Sequence, residues 1–219
     1  MAVVLVNLHT IVVDTFDTIQ ALLLGLGSGL VLIIAIGAQN AFLLRHGIQG
    51  RNVTVLILIC AVSDAILITL GILGVGAIIG AVPALVDVVR LVGAAFLIGY
   101  ALLAAKRALR PGSLKVSKPD RATGMRDAVL AMLAITWLNP HVYLDTVMLL
   151  GTLANRQGPD LRWWFGAGAI AGSFFWFSAL GFGARKLRRF FAKPSSWRIL
   201  DGVIAVVMLA LGLRMAFGH

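Results

Sequence analysis

Long apolar runs dominate the chain, and short polar clusters separate them. Their spacing predicts six helices, at about 20–45, 54–80, 88–108, 127–152, 163–183 and 199–217. Each run holds the ~20 residues that a helix needs to cross a hydrocarbon core ~30 Å thick. Lipid offers no partner to a backbone N–H or C=O, so a spanning segment must be a helix or part of a closed barrel. The period-two alternation of a membrane barrel is missing. The fold class is therefore an all-α integral membrane protein.

The first residues stand apart from this pattern. Met1–Val13 is apolar but too short to span, and Asp14 and Asp17 end the run. A cleavable signal peptide would carry a charged start, yet the first Lys or Arg is Arg45. Residues 1–18 are expected to form a non-spanning tail.

Composition agrees with the pattern. Hydrophobic residues make up 60% of the chain and charged residues 13%, about half the charged share of a soluble domain. These figures exclude a soluble globular domain, a disordered tail and a disulfide scaffold. Cys60 is the one cysteine, so no internal disulfide or paired-thiol relay can form.

The net charge is +10, and its placement predicts orientation. Fifteen of the nineteen Lys and Arg residues fall on the first, third and fifth connections or their flanks. Arg90, Arg156, Arg162 and Arg214 are assigned to the other side. By the positive-inside rule the odd connections are cytoplasmic and both termini lie outside. The basic balance then has a topological explanation, and nucleic acid is not an expected partner.

The longest connection, 109–126, contains Arg110-Pro111-Gly112 and Lys118-Pro119, a turn-rich linker. It divides a first three-helix unit, 19–108, from a second, 127–219. Three crossings per unit force opposite orientations, which is the arithmetic of two inverted repeats.

Polar residues interrupt the apolar runs at four places. Gly37-Ala38-Gln39-Asn40 breaks the first helix, and Ser63-Asp64 lies in the second. Trp137-Leu138-Asn139-Pro140-His141 breaks the fourth, and Asp145 follows. An Asp at a helix centre opposes insertion by ~2.5–3.5 kcal/mol, so such residues face a bundle interior or a water-filled path. Asn is a strong N-cap and Pro suits the first helical position, so Asn139-Pro140 can start a new half-helix inside the membrane. Its free N–H groups would then point at an anion, such as an amino-acid carboxylate. A proline kink serving packing is the equal alternative. Gln39-Asn40 is the corresponding site in the other half. Asp64 lies near mid-depth and Asp145 nearer the outer face. His141 precedes Asp145 by one turn on the same face. His141, Asp145 and Asp64 are too few for a metal site, and no clustered His/Cys spacing exists.

These strings resemble the bacterial lysine/arginine exporter family. Gly37-Ala38-Gln39-Asn40-Ala41-Phe42 with His46-Gly47-Ile48 is similar to its first signature. Ala61-Val62-Ser63-Asp64 matches its second-helix motif. Thr136-Trp137-Leu138-Asn139-Pro140-His141-Val142-Tyr143-Leu144-Asp145-Thr146 is very similar to its fourth-helix motif. The resemblance runs from about Ile19 to the C-terminus. Ala38 departs from it, standing where the familiar form has proline.

The resemblance implies a secondary transporter that exports L-arginine or L-lysine across the bacterial inner membrane. Its functional acids carry over to Asp64 and Asp145, and its helix-break residues to Gln39, Asn40, Asn139 and Pro140. His141 joins them as a candidate from the residue pattern. The expected partners are the basic amino acid, protons as coupling ion, and membrane lipid; a homodimer is left open, and no cofactor is expected. Export of a neutral amino acid or another small cation is the alternative. An intramembrane enzyme is disfavoured, because Ser63 and Asp64 are sequence neighbours whose side chains point ~100° apart on a helix. A passive channel is disfavoured because no regular ring of pore-lining polar residues is evident.

Overall fold

The computed structural model describes residues 2–34, 37–75, 83–109, 124–187 and 194–217. Among these the structure is helical, with no strand. The helices are α1 (Ala2–Ile34), α2 (Ala38–Gln49), α3 (Val53–Ile72), α4 (Pro83–Leu109), α5 (Met125–Trp137), α6 (Pro140–Val142), α7 (Gly151–Asn155), α8 (Leu161–Gly183) and α9 (Pro194–Phe217). A π-helical segment, Tyr143–Leu150, joins α6 to α7 without a break. Among the described residues five helical stretches are long and apolar enough to cross a membrane: Thr15–Ile34, Val53–Ile72, Arg90–Leu109, Leu161–Leu187 and Ser195–Phe217.

The boundaries differ from the sequence reading in instructive ways. Asp14 and Asp17 interrupt the apolar run but not the helix, since α1 is continuous from Ala2. The second helix stops at Ile72, and Gly74, at φ 84°, turns the chain where hydropathy alone continues. Most of the 109–126 linker, and Arg188, Arg189 and Lys193, lie outside the described residues. The first and fourth predicted helices are each split. α1 ends at Ile34 and α2 begins at Ala38, after an extended Gly37 (φ −116°, ψ 174°). That break forms although Ala38 replaces proline. α5 ends at Trp137, and the chain becomes helical again at Pro140. A tight turn joins α2 to α3. Gly50 is left-handed at φ 70° and donates its N–H to the His46 carbonyl at 2.8 Å. Asn52 follows at φ 54°, a conformation that Asn tolerates better than other side chains.

Packing pairs the helices in a fixed pattern. α1 lies against α8, α3 against α8 and the π segment, and α4 against α9. Gly25 and Gly29 meet Phe165 and Ala169, while Gly168 and Gly172 meet Leu22 and Leu26. Both sets of numbers rise together, so α1 and α8 run parallel. Asp64 meets Ser173 and Ile57 meets Gly181, so α3 and α8 run antiparallel. Lys106, Arg107, Arg185, Lys186 and Arg198 gather with Arg45 at one end of the bundle, termed here the basic end. Exposed Leu23, Leu58, Val62, Leu102, Phe175, Val203 and Val206 lie along the outside, the inverse of a soluble protein.

The glycine pairs have a direct consequence. A Cβ on Gly168 would strike the Leu22 carbonyl, whereas one on Gly27 meets nothing within 4 Å. Small residues let helices approach where lipid supplies no hydrophobic drive between them. Gly168→Leu should therefore destabilise the protein by about 1–3 kcal/mol, as overpacking does, and Gly27→Leu should not. Thermal unfolding of the detergent-solubilised variants checks this, and equal midpoints would contradict it.

Candidate functional site

Both helix breaks are tied off by side chains. At the first, Asn40 Nδ2 donates to the Ile33 carbonyl at 2.7 Å, satisfying an acceptor left free by the end of α1. Asn40 Oδ1 accepts from Trp176 Nε1 of α8 at 3.2 Å. At the second, the Tyr143 hydroxyl donates to the Trp137 carbonyl at 2.7 Å. Trp137 Nε1 donates to Ser63 Oγ of α3 at 3.2 Å. Each break is thus held by one residue beyond it and by one indole crossing between helices.

The two starts differ in their free donors. Asn139 Oδ1 accepts from the His141 N–H at 3.1 Å, and the Asn139 carbonyl accepts from the Val142 N–H at 3.1 Å. Asn139 is therefore the expected cap, with Pro140 at the first helical position. The capping uses the very N–H groups that were expected to face an anion. α2 behaves otherwise. Its N-cap is Gly37, with no side-chain cap, and Gln39 Nε2 is buried with no hydrogen-bond partner among the described residues.

A cavity of about 310 Å³ lies between the breaks. Gln39, Asn40, Asp64, Asn139, His141 and Asp145 all line it. Six of the seven residues singled out from the sequence thus share one wall system. Pro140 opens α6 but its side chain lies outside the described side chains. Asp64 is 5% exposed and accepts from the Ser173 hydroxyl at 2.8 Å. Among the described residues it has no cationic partner. Ser63 is engaged by Trp137 rather than by Asp64. No group of three or more His, Cys, Asp or Glu residues suited to a metal exists among the described residues. The arrangement can hold a cation at Asp64, a second positive group at Asp145, and a hydrogen-bond acceptor at Gln39 and the start of α2.

A family model described as LysE type translocator matches residues 30–218. The chain belongs to the LysE-type translocator family. It is a multi-pass membrane protein of a transporter family, not an enzyme family. A relative from Mycobacterium tuberculosis is 50% identical over 184 residues, covering 84% of this chain and 90% of its own; its name assigns it provisionally to amino-acid transport. The lysine exporter LysE of Corynebacterium efficiens is 33% identical, covering 87% and 96%. The arginine exporter protein ArgO of Yersinia enterocolitica is 36% identical, covering 88% and 94%. No solved structure matches the chain.

Sequence reasoning missed several residues of the candidate site. Ser173 and Trp176 sit in an apolar stretch of α8 with no local signal beyond their polar atoms. The π-helical turns at Tyr143–Leu150 were unforeseen; such segments concentrate at functional sites. Arg214, in the predicted sixth helix, was counted only as a charge of the outer side. It also lines the cavity, and of the lining residues it alone is exposed.

Proposed function

We propose that this protein exports L-arginine, L-lysine or both across the bacterial inner membrane in exchange for protons. The observation that carries the reading is the cavity's buried Asp64, which has no cationic partner among the described residues, with Asp145 on the same wall. A neutral amino acid has one positive group for two carboxylates. A basic amino acid has two, and its side chain is long enough to separate them. Its carboxylate fits the start of α2, which has no side-chain cap and where Gln39 Nε2 is buried without a hydrogen-bond partner among the described residues. The relatives named as lysine and arginine exporters support the same class.

The packing supports six crossings arranged as inverted repeats. In this reading Met125–Asn155, broken at Leu138–Asn139, is the fourth crossing. Exchanging the two halves turns the α1–α8 contact into that between the broken fourth segment and α3. It leaves α3–α8 and α4–α9 in place, and all of these contacts occur. The basic end is cytoplasmic by the positive-inside rule, with both termini outside.

The test is efflux of labelled arginine, lysine and a neutral amino acid from cells with and without the protein. Saturable efflux of a basic amino acid that collapses when the proton gradient is dissipated is the expected result. Efflux of the neutral compound alone would overturn the substrate reading.

A further inference from the structure

α9 carries a charge near each end. Asp201 lies near its start and Arg214 near its finish. At 1.5 Å per residue the two are ~20 Å apart along the helix. Each addresses a different end of the bundle, and the two ends are in different states.

At the basic end the packing is closed. Asp201 is buried and forms an ion pair with Arg45 at the end of α2, and Arg107 Nε of α4 stands 3.4 Å from the same oxygen. One carboxylate thus ties three helices together. Beside it Phe42 stacks on His46, with ring centroids 4.3 Å apart, and meets Tyr100 at 5.8 Å. The Arg107 guanidinium lies over Tyr100 at 5.5 Å. Leu43, Leu56, Met132 and Met208 belong to the same buried apolar cluster as Phe42, each with almost no accessible surface.

At the other end the corresponding charges are apart. Asp145 and Arg214 both line the cavity and lie within electrostatic reach of each other. Among the described residues neither belongs to an ion pair. The two acid–base couples share one helix. Arg45 lies seven residues after the start of α2 and Asp145 five residues after the start of α6, and each has its opposite charge on α9.

We propose that Arg45–Asp201 and Asp145–Arg214 are two latches made in alternation, one closing the cytoplasmic side and the other the outer side of the cavity. The structure has the first made and the second open, with Arg214 at the mouth. The physical chemistry permits the exchange. Leaving a buried charge without a partner is costly, but Arg107 stays with Asp201 when Arg45 departs. Arg214 is exposed and solvated while unpaired. Breaking one latch as the other forms keeps the two states close in free energy. The proposal rests on the transporter reading, not on the identity of the substrate.

A single cysteine at Thr146, on the cavity wall, reports the state of each side when Cys60 is replaced by Ala. It is labelled with a membrane-impermeant thiol reagent in vesicles of both orientations. Asp201→Asn should slow labelling from the outer side and speed it from the cytoplasmic side, each about fivefold or more. Arg214→Gln should shift both rates in the opposite sense. Asp201→Glu keeps the charge and should stay near the unmodified rates. Arg45→Gln carries the same expectation as Asp201→Asn should that variant fail to accumulate. A purely structural role would lower the amount of folded protein without moving the ratio of the two rates. An unmoved ratio, or shifts in the same direction for both couples, would overturn the proposal. Opposite shifts without arginine or lysine efflux would keep the latches and sink the substrate assignment.

Discussion

Asp64→Asn should abolish proton-coupled arginine and lysine efflux while leaving folded protein in the membrane. The substitution keeps the side chain's size and still offers an oxygen to the Ser173 hydroxyl, which donates to Asp64 Oδ2 at 2.8 Å. What it removes is the charge of a carboxylate that is 5% exposed and has no cationic partner among the described residues. Removing one member of a buried ion pair costs about 3–5 kcal/mol, which is more than a hundredfold in affinity for the cation. Coupling is lost as well. Export of a monovalent cation works against the membrane potential, at ~2.3 kcal/mol per charge per 100 mV. Exchange for one proton cancels the net charge movement. A carboxylate that holds either the substrate's cation or a proton supplies that exchange at one place, and an amide cannot. The measurement is arginine efflux from reconstituted vesicles together with proton movement in the other direction. Efflux at the unmodified rate, with the same dependence on the pH gradient, would remove Asp64 from the exchange site.

Asn139→Ala should reduce export about fivefold or more with a much smaller loss of folded protein. Its side chain caps the helix that restarts at Pro140, accepting from the His141 N–H at 3.1 Å, and it lines the cavity. An N-cap contributes ~1 kcal/mol, about a factor of five if the whole of it sets the geometry of His141 and Asp145. The Tyr143 hydroxyl and the Trp137 indole also hold this break, so the fold should survive. Ser is another good cap, and Asn139→Ser should retain more export than Asn139→Ala. Transport assays normalised to membrane content separate the two effects. Equal losses in the Ala and Ser variants would show that the amide contacts substrate rather than the helix start.

The alternation of apolar runs and polar clusters was enough to place most helices and both breaks. A span must satisfy its backbone internally, so hydropathy and the residues that interrupt it are local signals. Asn139-Pro140 announced a helix start for the same reason: capping and the missing N–H of proline are properties of adjacent residues. Ala38 shows the limit of such motifs. The first break forms without proline, because Asn40 and Trp176 fasten it from across the bundle. The second helix shows another. Hydropathy continues past Ile72, but the chain turns at Gly74.

By itself the sequence determined the all-helical membrane class, the two interruptions, and most of the polar residues that line the cavity. Those are consequences of which residue types lipid tolerates and at what spacing. Only the tertiary structure decided how these residues are used. It engaged the N–H groups beyond Asn139 with Asn139 itself and left Gln39 Nε2 without a hydrogen-bond partner among the described residues. It placed Arg214 on the cavity wall, and it joined Arg45 to Asp201 across 156 positions of chain. Hydrogen bonds and ion pairs between helices depend on which faces meet, and helix packing is set by shapes such as the Gly25–Phe165 and Gly168–Leu22 contacts. No single segment carries that information, so neither the site's electrostatics nor its closed end could be read from spacing alone.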